Sequence, residues 1–336
     1  MKVVRYRPRG VAVDGRRRLV AGLTTLLVSL PTIALSGVII GAPGVFFGPW
    51  PAAILVAIWL LTGVVVTLPF DESAVSRLGL RGRRPDLTEE TKLADAWTEV
   101  TEAAGVDGSS YSLWVQDAEE LNAFAAPGRV VGITGWALAR LEPRQLAAVL
   151  AHELGHHLSG RQGARMLAAW YSLPRELSAR ALRWSVYATV MPLIGWLSDQ
   201  LRDSAPDFAC RLRELTELIL MVTFFGAVVF GLTFVVGLPA TIGLGVLIAI
   251  EPFAEAAMSR RGESEADAVA VDLGYGVALR DVMWQWMFQE DSVLLDYHPM
   301  LHSLASHPPI SARMAAIESR MGETEEQAED QLDPGL

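Results

Sequence analysis

The segment VLAHELGHHLSG, residues 149–160, carries three of the chain's six histidines and a glutamate behind an apolar lead-in. On a helix, residues four apart share a face, so His152 and His156 turn their imidazoles the same way and can grip one metal ion together. Glu153 is turned about 100° from His152. It therefore stands beside such an ion rather than on it, where a general base must be to take a proton from water. Zinc bound by two histidines and a third ligand keeps a coordination position open for water or a peptide carbonyl. His157 lies off the ligand face and is expected to hydrogen-bond rather than to bind metal. A chance match on an amphipathic helix would not need the small and apolar neighbours found here, LAAVLA before and LSG after.

A catalytic zinc normally takes three protein ligands. The extended pattern HExxHxxGxxH fails, because Ser159 and Gln162 stand where it requires glycine and histidine. Far downstream, AMSRRGESEADAVAVDLG (257–274) places Glu263 and Asp267 four apart on one helical face, directly after an apolar run. Alone, these acids read as a solvated face beside Arg260 and Arg261. Coupled to the histidine segment, Glu263 completes a His, His, Glu set and Asp267 orients an imidazole N–H from behind it. Glu265 is the rival acid, but it faces elsewhere on the helix.

The composition places this chemistry on a membrane protein. Of 336 residues 51% are hydrophobic, and no charged side chain occurs from Leu19 to Phe70. A bilayer core needs only about 20 apolar residues per helix. GAPGVFFGPWP (41–51) interrupts the run, so a helical hairpin is expected, about Leu19 to Gly41 and Pro51 to Pro69. A cleaved signal peptide is the alternative for the first span, but the second apolar span favours retention. Lys2, Arg5, Arg7, Arg9, Arg16, Arg17 and Arg18 precede the hairpin and Arg77, Arg81, Arg83 and Arg84 follow it, with none in the turn. Positive flanks stay inside, so both ends, and the catalytic part after Arg84, are expected to be cytoplasmic. Further uncharged runs cover 184–198 and 218–250. Either each supplies one crossing, or the longer run folds back near GLPATIG (237–243).

Between the membrane segments, Asp86 and Glu89 have capping-box spacing ahead of a helix with Leu93, Ala96, Trp97, Val100 and Ala104 at helical intervals. YSLWVQD, LNAFAAPG and RVVGITG predict a small antiparallel sheet over 111–134. A short helix from Gly135 leads through Pro143 into the histidine helix, expected over 143–158. The last fifteen residues hold six acids and no base and read as a disordered tail. That tail dominates the net charge of −10, and nothing suggests a nucleic-acid footprint. The single cysteine, Cys210, excludes an internal disulfide framework or a cysteine zinc site. With 26 arginines against two lysines, the sequence fits a GC-rich bacterial genome.

Together, HELGH, SRRGESEAD and SHPPISAR resemble the integral-membrane zinc metalloproteases related to the bacterial HtpX protease and the CAAX prenyl endopeptidases. The likeness runs from the membrane hairpin to about Arg313. It implies that His152, His156 and Glu263 bind one zinc ion per subunit, that Glu153 acts as base and then acid, and that Asp267 supports a ligand. It also implies that His307 faces the substrate or the oxyanion, with Arg313 in structural support; His298 also precedes a proline, but the spacing to Arg313 favours His307. Asn122, Ala123, Phe124 and Ala125 match the family's strand along the cleft, where an extended substrate adds as a further strand. Gly262 and Ser264 depart from the pattern, standing where HtpX-like members often carry Arg and Tyr.

The expected architecture is a predominantly α, multi-span membrane protein with a zincin-like α+β domain and a small antiparallel sheet. Its parts are a basic N-terminus (1–18), a transmembrane hairpin (19–70), a zincin part with the HExxH helix (71–166), a membrane insertion (167–252), the completion of the catalytic domain (253–321) and an acidic tail (322–336). The expected function is a zinc endopeptidase in a bacterial plasma membrane, acting from the cytoplasmic side on polypeptides, by resemblance misfolded or damaged membrane proteins. The rivals are a zinc-binding membrane adaptor or sensor without protease activity, and a prenyl-peptide processor. Keeping Glu153 beside a three-ligand set argues against the first, and no lipid-binding cavity is identifiable for the second.

Overall fold

Helices begin and end where the backbone chemistry says they should in the computed structural model, which describes residues 15–66, 82–201, 206–287 and 308–332. The Asp86 side chain accepts the backbone N–H of Thr88 and Glu89, and Glu89 Oε2 accepts the Asp86 N–H at 2.9 Å. This capping box opens the helix Leu87–Ala104, which stops at Gly105 in the left-handed conformation, φ +68°. Leu93, Trp97, Val100 and Ala104 are buried along its inner stripe. They share one core with Leu146, Leu150, Leu154 and Leu158 of the histidine helix, Pro143–Leu158, and with Leu279, Val282 and Met283 of the helix Gly276–Met287.

Four strands form one sheet: β1 (Gly82–Arg83), β2 (Ser112–Gln116), β3 (Ala123–Ala126) and β4 (Val130–Thr134), in the order β1-β2-β4-β3. Three lie inside the expected 111–134, but the sheet is mixed rather than antiparallel. β1 with β2 and β3 with β4 are antiparallel, whereas β2 and β4 run parallel, Leu113 opposite Val131. After β2 the backbone passes the position of β4 to lay down β3 at the far edge, then turns back through Gly128 (φ +83°) and Arg129 (φ +59°). The returning strand fills the gap between β2 and β3, and that path fixes its direction parallel to β2.

The protein divides into two compact units, one of Met1–Val28, Val66–Leu167 and Pro252–Leu336, the other of Ser29–Val65 and Ala168–Glu251. In the second, the apolar helices Leu30–Val45 and Pro49–Val66 meet at Gly48, φ +114°. The expected break over 41–51 is therefore narrower, and Pro43 is carried inside a helix. The first span is also divided: Gly15–Val28 ends before Ser29 and Pro31 sits in the first turn of the next helix, where its missing N–H costs nothing.

Of the two arrangements open for 184–250, the structure favours the one that divides the longer run. Met191–Leu201 is too short to cross, and Gly237 (φ +84°) splits the longer run into Pro206–Val236 and Leu238–Asp272. Each contains a stretch long and apolar enough to cross a membrane, Glu214–Val236 and Leu238–Asp272. Phe225, Phe230 and Phe234 are exposed, as lipid-facing side chains are. The protein thus has integral-membrane character.

The expected disordered tail is corrected in part, because the helix Ile310–Leu332 runs through most of it. GETEEQAEDQL is rich in strong helix formers. Nearer the start of that helix, Arg320 forks onto Asp272 with contacts of 2.9 and 2.7 Å.

A close backbone approach in the first unit joins the histidine helix to Leu238–Asp272. A Cβ built on Gly155 would lie 2.8 Å from the Ala266 Cα, so only glycine allows this approach. Gly155→Ala should overpack the contact and cost about 1–3 kcal/mol. A lower thermal midpoint, with metal affinity falling alongside, is the expected result; an unchanged midpoint would show that the helices have room to separate.

Candidate metal centre

The close approach at Gly155 sets Glu263 against the two histidines. Burial of Leu146, Leu150 and Leu154 fixes the rotation of the histidine helix, and His152 and Glu153 are buried with them, 6% exposed each. His152 and His156 lie with ring centroids 4.8 Å apart. Glu263 Oε2 is 3.5 Å from His152 Nε2, and its Oε1 is 3.5 Å from His156 Nε2. One donor atom from each of the three residues can be chosen so that all lie within 4.8 Å of one another. Two nitrogen or oxygen ligands each about 2.0–2.1 Å from a tetrahedral ion stand roughly 3.3 Å apart. The two 3.5 Å separations to Glu263 are close to that value, and the two-nitrogen, one-carboxylate donor set suits a divalent ion.

A second layer of contacts holds these donors. Asp267 Oδ1 lies 2.9 Å from His152 Nδ1, on the side of the ring away from Glu263. Arg313, buried, donates from Nε and Nη2 to the two Asp267 oxygens at 2.9 and 2.7 Å, and its Nη1 reaches Glu263 Oε2 at 3.2 Å. One guanidinium thus fastens both carboxylates. The charges explain why this is tolerable: burial pulls the Arg313 pKa down, but Asp267 and Glu263 more than reverse it, so the group stays cationic. Burial pushes the Asp267 carboxyl up, yet His152 and Arg313 bring it below its ordinary range.

The two histidines are held differently. Burial lowers the His152 pKa, but Asp267 and Glu263 outweigh it and raise it to about 9. Burial and the neighbouring His152 charge push His156 down to about 3. His157 is turned away, its Nε2 3.1 Å from the Val130 carbonyl and its ring edge-on to Tyr111. Glu265 pairs with Arg161 and Arg261, each at 3.0 Å, and stands outside the donor set.

The edge strand lies beside this centre, with the histidine helix packed against it. The Thr134 N–H donates to Asn122 O, so Phe124 and Ala126 turn their backbone groups toward β4 while Ala123 and Ala125 turn theirs to the edge. His298 and His307 lie outside the described residues.

Residues 88–321 match the model of Peptidase family M48. The chain belongs to peptidase family M48. Comparison with curated proteins returned no match. Its HExxH motif with the distal Glu263 is the arrangement of a zincin-type metalloendopeptidase, carried here on a membrane protein of this family, in keeping with the HtpX-like and CAAX-type resemblance.

Three neighbours of this M48 site were not visible in the sequence as parts of it. Arg161, Gln162 and Arg165 line a small cleft against His156, together with Ser159 and Gly262. They read as ordinary polar residues after the motif, and only the fold turns them back onto it. Gly262, odd within a helix, sits where the Arg161 Nη1 lies 3.2 Å from the position a Cβ would take.

If Asp267 sets the orientation of His152, Asp267→Asn should weaken zinc binding by about 10- to 100-fold. Competition with a chromophoric chelator would measure this, and unchanged affinity in a folded variant would remove Asp267 from the centre.

Proposed function

We propose that this M48 member is a zinc-dependent endopeptidase that cleaves membrane proteins, misfolded or damaged ones above all, from the cytoplasmic face of a bacterial plasma membrane. The observation that carries the reading is the donor set of buried His152 and Glu263 with partly buried His156, and Glu153 on the next helical position after His152. His152, His156 and Glu263 would hold one zinc ion. When bound there, zinc lowers the pKa of water and polarises a peptide carbonyl.

The protein's own groups supply the rest. Glu153 accepts a proton from the attacking water and returns it to the leaving amine, so one carboxylate serves both halves of the hydrolysis. Its burial keeps bulk water from competing for that proton. Asp267 keeps the His152 ring turned, and Arg313 holds Asp267 and Glu263 in place while balancing their charge. Ala123 and Ala125 offer backbone groups to an extended substrate, which would pair with β3 as a further strand. His307 is assigned by resemblance to the substrate or oxyanion. The arginine-rich flanks of the first apolar segments support the cytoplasmic orientation.

The test uses full-length, zinc-loaded protein in detergent and an unstable membrane-protein reporter. Glu153→Gln should reduce turnover by about 10²–10⁴ while zinc content stays equal to wild type. Cleavage by the variant at the wild-type rate, or none by zinc-loaded wild type, would refute the reading.

A further inference from the structure

The cleft beside His156 contains a cation that its neighbours only partly satisfy. Arg161 is buried, 8% exposed, and its Nη2 pairs with Glu265 at 3.0 Å. Its Nε and Nη1 are buried without a hydrogen-bond partner. A buried donor left unmatched is costly, more so on a charged group, and an incoming acceptor would relieve that cost. Glycine at 262 makes room for the Arg161 guanidinium itself, whose Nη1 would stand 3.2 Å from a Cβ there. Arg165 adds a second guanidinium, its Nη2 4.0 Å from the same point.

Two further features favour a negative guest. The cleft is lined by the first residues of the helix Gln162–Thr189, whose first turn carries no acid, so its N-terminal dipole is not answered from within that turn. Gln162 lines the cleft and also donates from Nε2 to the Ala125 carbonyl at 3.2 Å. That carbonyl belongs to the edge on which a substrate strand would lie. The cleft therefore adjoins both the donor set, through His156, and the substrate edge, through Gln162.

The geometry points to this cleft as an anion subsite that receives a carboxylate of the polypeptide substrate on Arg161, with Arg165 at its mouth. This rests on the protease reading. Glu265 competes for the same guanidinium and tunes the preference. The carboxylate comes from an Asp or Glu side group near the scissile bond or from the C-terminus of the substrate.

Casein, an unfolded polypeptide, serves as the probe. Its digestion by zinc-loaded, full-length protein in detergent, mapped by mass spectrometry, gives the cut sites. Peptides built on the best-cut site then carry Glu or Gln at each position in turn, with free or amidated C-termini. Wild type should favour Glu over Gln at one fixed position, or a free over an amidated C-terminus, by about tenfold in kcat/KM, the scale of one hydrogen bond to a charged group. Which of the two pairs shows the preference identifies the source of the carboxylate. Arg161→Met should bring that ratio near one, and Glu265→Gln, which releases Arg161, should raise it. If Arg161→Met loses zinc or fails to fold, Glu265→Gln and Arg165→Gln decide, the latter lowering the ratio. Cleavage by wild type with no acid preference at any position and no C-terminal effect overturns the subsite alone. Absence of cleavage by wild type overturns the protease reading, and the subsite with it.

Discussion

Two helices touch at Gly155 and Ala266, residues more than a hundred positions apart in sequence, and the metal centre depends on that contact. With a Cβ at 155 only 2.8 Å from the Ala266 Cα, any larger residue would hold the backbones apart. Because Glu263 and Asp267 flank Ala266 on the approaching helix, the same contact sets both carboxylates against His152. Packed interiors transmit such displacements rather than absorbing them. A wider separation would draw Glu263 away from the histidines with which it forms the donor set.

Bringing three acids into a buried site carries an electrostatic cost, which Arg313 offsets alongside His152. Glu153, Glu263 and Asp267 are each less than a tenth exposed. Arg313 enters from a third helix, Ile310–Leu332, and contacts two of them. A guanidinium suits this place because its planar fork can serve two carboxylates at once and does not lose its charge on burial. Arg161 nearby shows the contrasting case, an arginine only partly answered by its carboxylate neighbour, which turns unsatisfied donors into a means of recognition.

Much of this was legible in the sequence because it depends on local rules. Residue spacing placed His152 and His156 on one face and Glu263 and Asp267 on another. The capping box at Asp86 and the composition of the apolar runs likewise announced helices and membrane segments. Less legible were features decided by path or by distant neighbours. The direction of β4 depends on the backbone reaching the far edge before turning back. The break at Ser29 and the continuation of the last helix to Leu332 turn on a balance of small preferences that nearby residues do not decide.

The sequence alone determined the donor types, their spacing within each helix and the apolar lengths suited to a bilayer, since helical periodicity and hydrophobic transfer act over a few residues. Tertiary structure alone decided the distances at which Glu263 meets the histidines, that Glu265 pairs with Arg161, that Arg313 bridges Asp267 and Glu263, and that Arg161 is buried beside His156. Those outcomes depend on the closeness and rotation of packed helices, which are fixed by contacts between residues remote in sequence.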